Sequence, residues 1–138
     1  MKNKGFSFIE ILVVTTIIAV LTMVGVANFR VANQKAKDGK RKGDLEQIRA
    51  ALELYRTDEN EYPDGDIISA DIIQSVGGNV YMSDVPDDPA NGYDYYYTSD
   101  GMTYSLCAAL ELDLTGSCTA GGADCGTEAC NYQINSPD

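Results

Sequence analysis

The sequence predicts an α+β protein in which one long N-terminal helix, apolar in its first half and amphipathic in its second, packs on a small antiparallel β-sheet head. Three observations predict it. Residues 6–29 form an apolar run holding a single acid, residues 45–55 carry an apolar stripe at helical spacing, and tyrosine-rich runs flank an Asp-Gly turn later in the chain. A length of 138 residues allows one small domain plus an anchor.

The apolar run is FSFIEILVVTTIIAVLTMVGVANF, 24 residues preceded by Lys2 and Lys4. As a helix it would extend about 36 Å, enough to cross a bilayer core of about 30 Å. Three readings compete. It is a cleavable secretion signal, with Gly25-Val26-Ala27 as the small-residue cleavage site; or a plain transmembrane anchor; or a segment exposed by cutting a short leader after Gly5. Glu10 discriminates. A carboxylate in an apolar segment costs several kcal/mol unless it is paired. If the chain is cut after Gly5, Phe6 carries a new positive amine, and Glu10 stands one helical turn further on. The carboxylate then neutralises that amine, or the amine of a neighbouring copy, in a low-dielectric setting.

The run Lys4-Gly5-Phe6-Ser7-Phe8-Ile9-Glu10-Ile11-Leu12-Val13-Val14 resembles the prepilin signature of type IV pilins and type II secretion pseudopilins. The resemblance implies a pilin-like fold and a filament subunit. It implies a cut between Gly5 and Phe6 by a membrane prepilin peptidase, N-methylation of Phe6, and an assembly role for Glu10. The implied partners are further copies of the chain in a helical filament, the peptidase, a pilus or secretion assembly platform, and the membrane before assembly. The implied location is the bacterial inner membrane, with the N-terminus cytoplasmic and the head outside, and afterwards an extracytoplasmic or cell-surface filament. The chain departs from many type IV pilins at Ala27, where they carry a helix-kinking proline; Gly25, Gly39 and Gly43 are the alternative weak points. Arg30, Lys35, Lys37, Lys40, Arg41 and Lys42 after the apolar run oppose the family orientation by charge alone. The cysteine-bearing acidic domain fits the outside better.

Beyond the anchor, Leu45, Ile48, Leu52 and Tyr55, with Ala51, make one helical stripe that covers the core of the head, while Asp44, Glu46, Arg49, Glu53 and Arg56 fall mostly off it. The basic cluster from Lys35 to Lys42 reads as a solvated face near lipid headgroups. The helix ends near Thr57, before Asp58-Glu59-Asn60 and Pro63. The segments are thus a leader at 1–5, a transmembrane or filament-core helix at 6–29, its amphipathic continuation at 30–57, and an extracytoplasmic head with a cysteine-rich tail at 58–138. Within the head, Ile67, Ile68, Ile72, Ile73 and Val76 predict a short helix closing at Gly77-Gly78. Residues 85–92 are a turn-rich loop, and residues 93–98 and 103–111 form a hairpin around Ser99-Asp100-Gly101-Met102. Arg56, the Tyr62-Pro63 pair, the Pro86-Asp87-Asp88-Pro89 loop and the sheet also look like the major pseudopilin, so the resemblance covers residues 1–112; the tail from Leu112 matches less well.

All ten basic residues lie at or before Arg56, and sixteen of the 21 acids lie after it, which excludes a phosphate-backbone ligand for the head. Cys107, Cys118, Cys125 and Cys130 have no close pair, and the chain has no histidine, so disulfides are expected over zinc; three pairings are open. No cofactor is expected, with calcium the one ligand considered. The resemblance implies calcium late in the head, and oxygen ligands are plentiful at Asp84–Asp88, Glu111–Asp113 and Asp124–Glu128, though no EF-hand pattern is present. An enzyme is not expected: there is no histidine for acid–base work and no cleft motif. The alternative to a filament subunit is a single-pass extracytoplasmic binding module, which leaves Glu10 without a role.

Overall fold

The computed structural model describes residues 5–68, 70, 72–118 and 123–137. Two compact units are present, Met1–Gln34 and Lys35–Asp138. A single helix, α1 (Phe8–Glu59), supplies all the regular structure of the first and the backbone support of the second. Its assignment continues through Gly25, Gly39 and Gly43 and ends two residues later than the composition indicated. Asn60, with φ 62°, then breaks it, because a left-handed residue cannot extend a right-handed helix.

The head is built on a three-stranded antiparallel sheet, order β3 (Tyr96–Ser99), β4 (Tyr104–Ala108), β7 (Tyr132–Asn135). Two small hairpins complete it: β1 (Ile73–Gln74) with β2 (Val80–Met82), and β5 (Asp124–Cys125) with β6 (Glu128–Ala129). The β3–β4 hairpin is the expected one, pairing Tyr97 with Leu106 and Ser99 with Tyr104. Its turn is closed by the Asp100 carboxylate, which accepts the amides of Met102 (3.0 Å) and Thr103 (2.6 Å), and Gly101 supplies the φ of +81° that the turn requires.

Strand β4 alternates its side chains between two clusters, as the period of a strand dictates. Tyr104, Leu106 and Ala108 face the main core with Leu45, Ile48, Ala51, Leu52 and Tyr55 of α1. Cys107 and Ala109 face the other side, with Cys125 and Cys130. The helical stripe therefore does cover the core: Leu45, Ile48 and Leu52 are fully buried. Burying each such side chain contributes about 1.5–3 kcal/mol, so the stripe alone fixes how α1 meets the sheet within the head.

Three expectations fail here. The segment around Ile67–Val76 is not helical. Asp66 accepts the Ile68 amide (3.0 Å) in an Asx turn, Ile73 enters β1, and Val76 is fully exposed on a turn in which the Ser75 amide donates to the Asn79 carbonyl. Ser69 and Asp71 of that segment lie outside the described residues. A short run rich in β-branched isoleucine does not separate helix from strand by spacing alone, and here strand wins. Second, the hairpin strands are shorter than the tyrosine pattern implied. Residues 93–95 and 109–111 lie outside the ladder. At the second of these ends the backbone is engaged elsewhere: the Asn131 amide side chain accepts from Leu110 N (2.6 Å) and donates to Leu110 O (2.9 Å). Third, the acid Asp44 and the base Arg41 are buried rather than solvated.

Tyrosine hydroxyls tie the head together. Tyr95 donates to Asp44 (2.8 Å), Tyr97 to the Pro63 carbonyl (2.8 Å), and Tyr62 to Glu53 (3.0 Å). Burial pushes the phenols of Tyr95, Tyr97 and Tyr104 upward, Tyr97 to about 12 against an ordinary value of 10.0. A phenol that ionises later in the fold than in the unfolded chain stabilises fully below pH 10 and loses that contribution as pH rises toward 12. We therefore expect an alkaline titration followed by phenolate absorbance to show late tyrosines ionising together with loss of the near-ultraviolet circular dichroism. Ionisation of all nine tyrosines near their ordinary value of 10.0 with the dichroism intact would contradict this burial.

Candidate functional site

Two regions carry chemistry, one in each unit. In the first, Gly5 and Phe6 precede the helix, and Phe6 is 81% exposed. The leader residues 1–4 lie outside the described residues. Ser7 starts α1: its carbonyl accepts the amides of Glu10 (3.0 Å) and Ile11 (3.3 Å). The Glu10 carboxylate reaches back to the Ser7 amide at 3.4 Å. Ser7-x-x-Glu10 is thus one half of a capping box, a local role for Glu10 that was legible in the sequence and missed. It places the carboxylate against the backbone immediately following Phe6.

From Phe8 to Val31 the large apolar side chains described stand open: Phe8 84%, Leu21 66%, Met23 80%. The threonines inside this run satisfy themselves. Thr15, Thr16 and Thr22 donate to the carbonyls of Leu12, Val13 and Ile18 at 2.8–2.9 Å. The segment therefore presents an apolar surface with few unmet polar groups, as a hydrocarbon surrounding demands. It is long and apolar enough to cross a membrane.

In the second unit, Arg41 organises a cluster of acids. The guanidinium is fully buried. Its Nε and Nη2 donate in parallel to the two oxygens of Asp88 (2.7 and 2.9 Å). Nη1 donates to Asp38 Oδ1 (2.9 Å), Nη1 and Nη2 both donate to Glu111 Oε1 (3.3 Å), and the Tyr93 ring lies 4.8 Å from its central carbon. Burial alone would lower the Arg41 pKa, but the bonds and charges of Asp88, Asp38 and Glu111 outweigh it, so the group is held protonated more firmly than usual. Asp38 serves twice: its carboxylate also accepts the backbone amides of Glu111 (2.9 Å) and Leu112 (3.0 Å). Lys37 adds a contact to Glu111 at 3.4 Å on the rim. The helix, the 85–92 loop and the 109–113 loop are thereby joined through one side chain. Spacing could have located it, because Asp38, Arg41 and Asp44 continue the Leu45–Ile48 stripe toward the N-terminus at helical intervals; the assumption that a basic run faces solvent hid it.

The four cysteines are paired as Cys107–Cys118 and Cys125–Cys130. Sequence separations of 11 and 5 residues correspond to roughly 2–3 kcal/mol each in chain entropy. The second bridge closes the β5–β6 hairpin, whose Gly126 has φ +78° and abuts the Gly92 carbonyl so closely that a Cβ would collide. That carbonyl also accepts the Thr127 amide (2.7 Å), docking the hairpin on the 85–92 loop.

Among the described residues, the acids considered for calcium are not gathered into one cluster. Asp88 and Glu111 are engaged by Arg41, and Asp88 also accepts the Ala90 amide (2.8 Å). Asp113 caps Thr115 (2.7 Å to the hydroxyl), and Asp84, Asp124 and Glu128 are exposed. Among the described residues no group of three or more acids, cysteines or histidines is arranged to hold a metal.

Comparison with known proteins fits this two-part organisation. A family model for the prokaryotic N-terminal methylation motif matches residues 1–26, and one for type II secretion system (T2SS) protein G matches residues 28–124. The chain belongs to the type II secretion protein G family. It is similar to the type II secretion system core protein G of Vibrio cholerae serotype O1, 31% identical over 96% of this chain and 94% of that protein. The corresponding protein of Escherichia coli K12 is 30% identical over 78% and 81%, and that of Klebsiella pneumoniae 31% over 73% and 78%. No solved structure matches the chain. Protein G is the major pseudopilin, a structural subunit and not an enzyme, and membership resolves the choice between surface pilin and pseudopilin that the sequence left open. The apolar helix and the family together fit an inner-membrane precursor.

Proposed function

We propose that this chain is the repeating subunit of a type II secretion pseudopilus, cut between Gly5 and Phe6 by a prepilin peptidase, methylated on Phe6, and assembled through residues 6–29 of its helix. The observation that carries the reading is an exposed apolar helical surface interrupted by the single carboxylate of Glu10. Such a surface needs a cover. Lipid provides it before assembly, and the same segment of neighbouring copies provides it afterwards, so transfer from one to the other exchanges apolar contacts of similar kind. Glu10 supplies what that exchange lacks, a fixed point at which a buried amine is neutralised and register is set. The head faces the extracytoplasmic side, where its disulfides persist, and an assembly platform in the membrane extracts the subunit.

The experiment is the intact mass and N-terminal sequence of the mature protein from producing cells. The expected result is a chain starting at Phe6 and heavier by one methyl group. A start at Asn28 would mean an ordinary secretion signal, and an intact Met1 would leave an anchored module; either would overturn the proposal.

A further inference from the structure

The family resemblance brings calcium to the late loop of the head, whereas two of the acids considered for it here, Asp88 and Glu111, converge with Asp38 on an arginine. We infer that Arg41 takes the place of a divalent cation in this chain: one buried guanidinium cross-links the 85–92 and 109–113 loops to α1, and the head holds its fold at any calcium level.

The chemistry of the donors supports this. Calcium takes six to eight oxygens at about 2.3–2.6 Å. Both oxygens of Asp88 face the guanidinium fork at 2.7 and 2.9 Å, the geometry of a bidentate arginine–carboxylate pair. Both oxygens of Asp38 are committed, one to Arg41 and the Glu111 amide, the other to the Leu112 amide. Glu111 Oε1 is shared between Arg41 and Lys37. A divalent ion at the centre would have to displace a permanently charged, fully buried group. The work of a structural cation is to gather carboxylates from distant parts of the chain and fix the loops that bear them. Residues 38, 88 and 111 are gathered here by a side chain. Arg41 comes from the helix itself, so the link forms with folding and does not depend on an external concentration.

The test is thermal unfolding of the full-length protein in detergent micelles, with calcium chloride and with the chelator EGTA in its place. The expected melting temperatures agree within about 1 °C; a site half-saturated at one-hundredth of the added calcium would raise the value by roughly 10–20 °C. A rise of several degrees, or one equivalent of calcium bound in titration calorimetry, overturns the inference. A second measurement is amide exchange in Arg41→Gln. The Glu111 and Leu112 amides are expected to exchange at least about tenfold faster than in the parent and to stay less protected than the β3–β4 hairpin amides, Tyr97 and Leu106 among them, which lose protection only as far as the stability of the whole head falls; unchanged exchange at 111 and 112 also overturns it. A calcium response would leave the pseudopilus reading standing, and a mature start at Asn28 would sink that reading without touching this one.

Discussion

Arg41→Met is expected to destabilise the head by about 3–5 kcal/mol, the usual consequence of removing one partner from a buried ionic cluster. Asp38, Asp88 and Glu111 would be left converging without their common cation, with Lys37 beside Glu111 on the rim. Methionine replaces the packing of the arginine stem, so the loss measured is that of charge and hydrogen bonds more than of volume. Exposed pairs in the same helix are a useful contrast. Arg49 and Glu46 lie 3.5 Å apart with side chains 38% and 57% exposed, and Arg49→Met should cost less than about 1 kcal/mol. For a head of this size the Arg41 effect corresponds to a fall in melting temperature on the order of 12–40 °C. Arg41→Lys should recover little of it, because an ammonium cannot donate in parallel to both Asp88 oxygens. A melting temperature for Arg41→Met within a few degrees of the parent would show that the cluster is incidental to stability.

This cluster also marks where the sequence stopped being readable. The stripe of Leu45, Ile48, Leu52 and Tyr55 and the Asp-Gly hairpin were legible because apolar periodicity and turn chemistry are local. Arg41 reads as one member of a basic run although its spacing continues the apolar stripe, and two of its three acidic partners lie 47 and 70 positions away. A run of like charges suggests a solvated face, and nothing local says that one of its members finds acids from other parts of the chain. Asp44 is the same case, since its partner Tyr95 is 51 positions distant. The third strand, β7, was missed for a related reason. It pairs with β4, Leu106 opposite Ile134, only after the chain has passed through the disulfide-bearing segment. Tyr132-Gln133-Ile134-Asn135 is too short to announce itself beside cysteines and glycines. The Ile67–Val76 segment failed in the opposite direction: its local pattern spoke clearly, but for a helix that the Asx turn at Asp66 and the pairing of Ile73 with Met82 override. At the N-terminus the motif was readable throughout, and the capping contact from Glu10 to Ser7 adds a second role to a residue already singled out for its charge.

Those two roles of Glu10 make separable predictions. If Glu10 acts as the cap of α1, Glu10→Gln should assemble like the parent, because the amide oxygen still accepts from the Ser7 N–H. If it acts by charge, Glu10→Gln should fail as Glu10→Leu does. We expect the second outcome. A helix cap is worth about 1 kcal/mol, and a helix of 52 residues does not depend on it. An amine buried without a counter-charge costs several kcal/mol, and each step of about 1.4 kcal/mol is tenfold in a binding equilibrium, so both variants should lose filament yield by at least about tenfold. Glu10→Leu also makes the segment more apolar, which strengthens its hold in lipid and weakens the drive to leave. The measurement is the filament fraction sheared from cells and counted by electron microscopy, alongside the mature N-terminal mass. That mass matters, because Glu10 lies on the mature side of the cut and both variants should still begin at a methylated Phe6. Unprocessed precursor would move the defect to the peptidase, and wild-type filament yield from Glu10→Gln would remove charge neutralisation as the reason a carboxylate stands in this apolar helix.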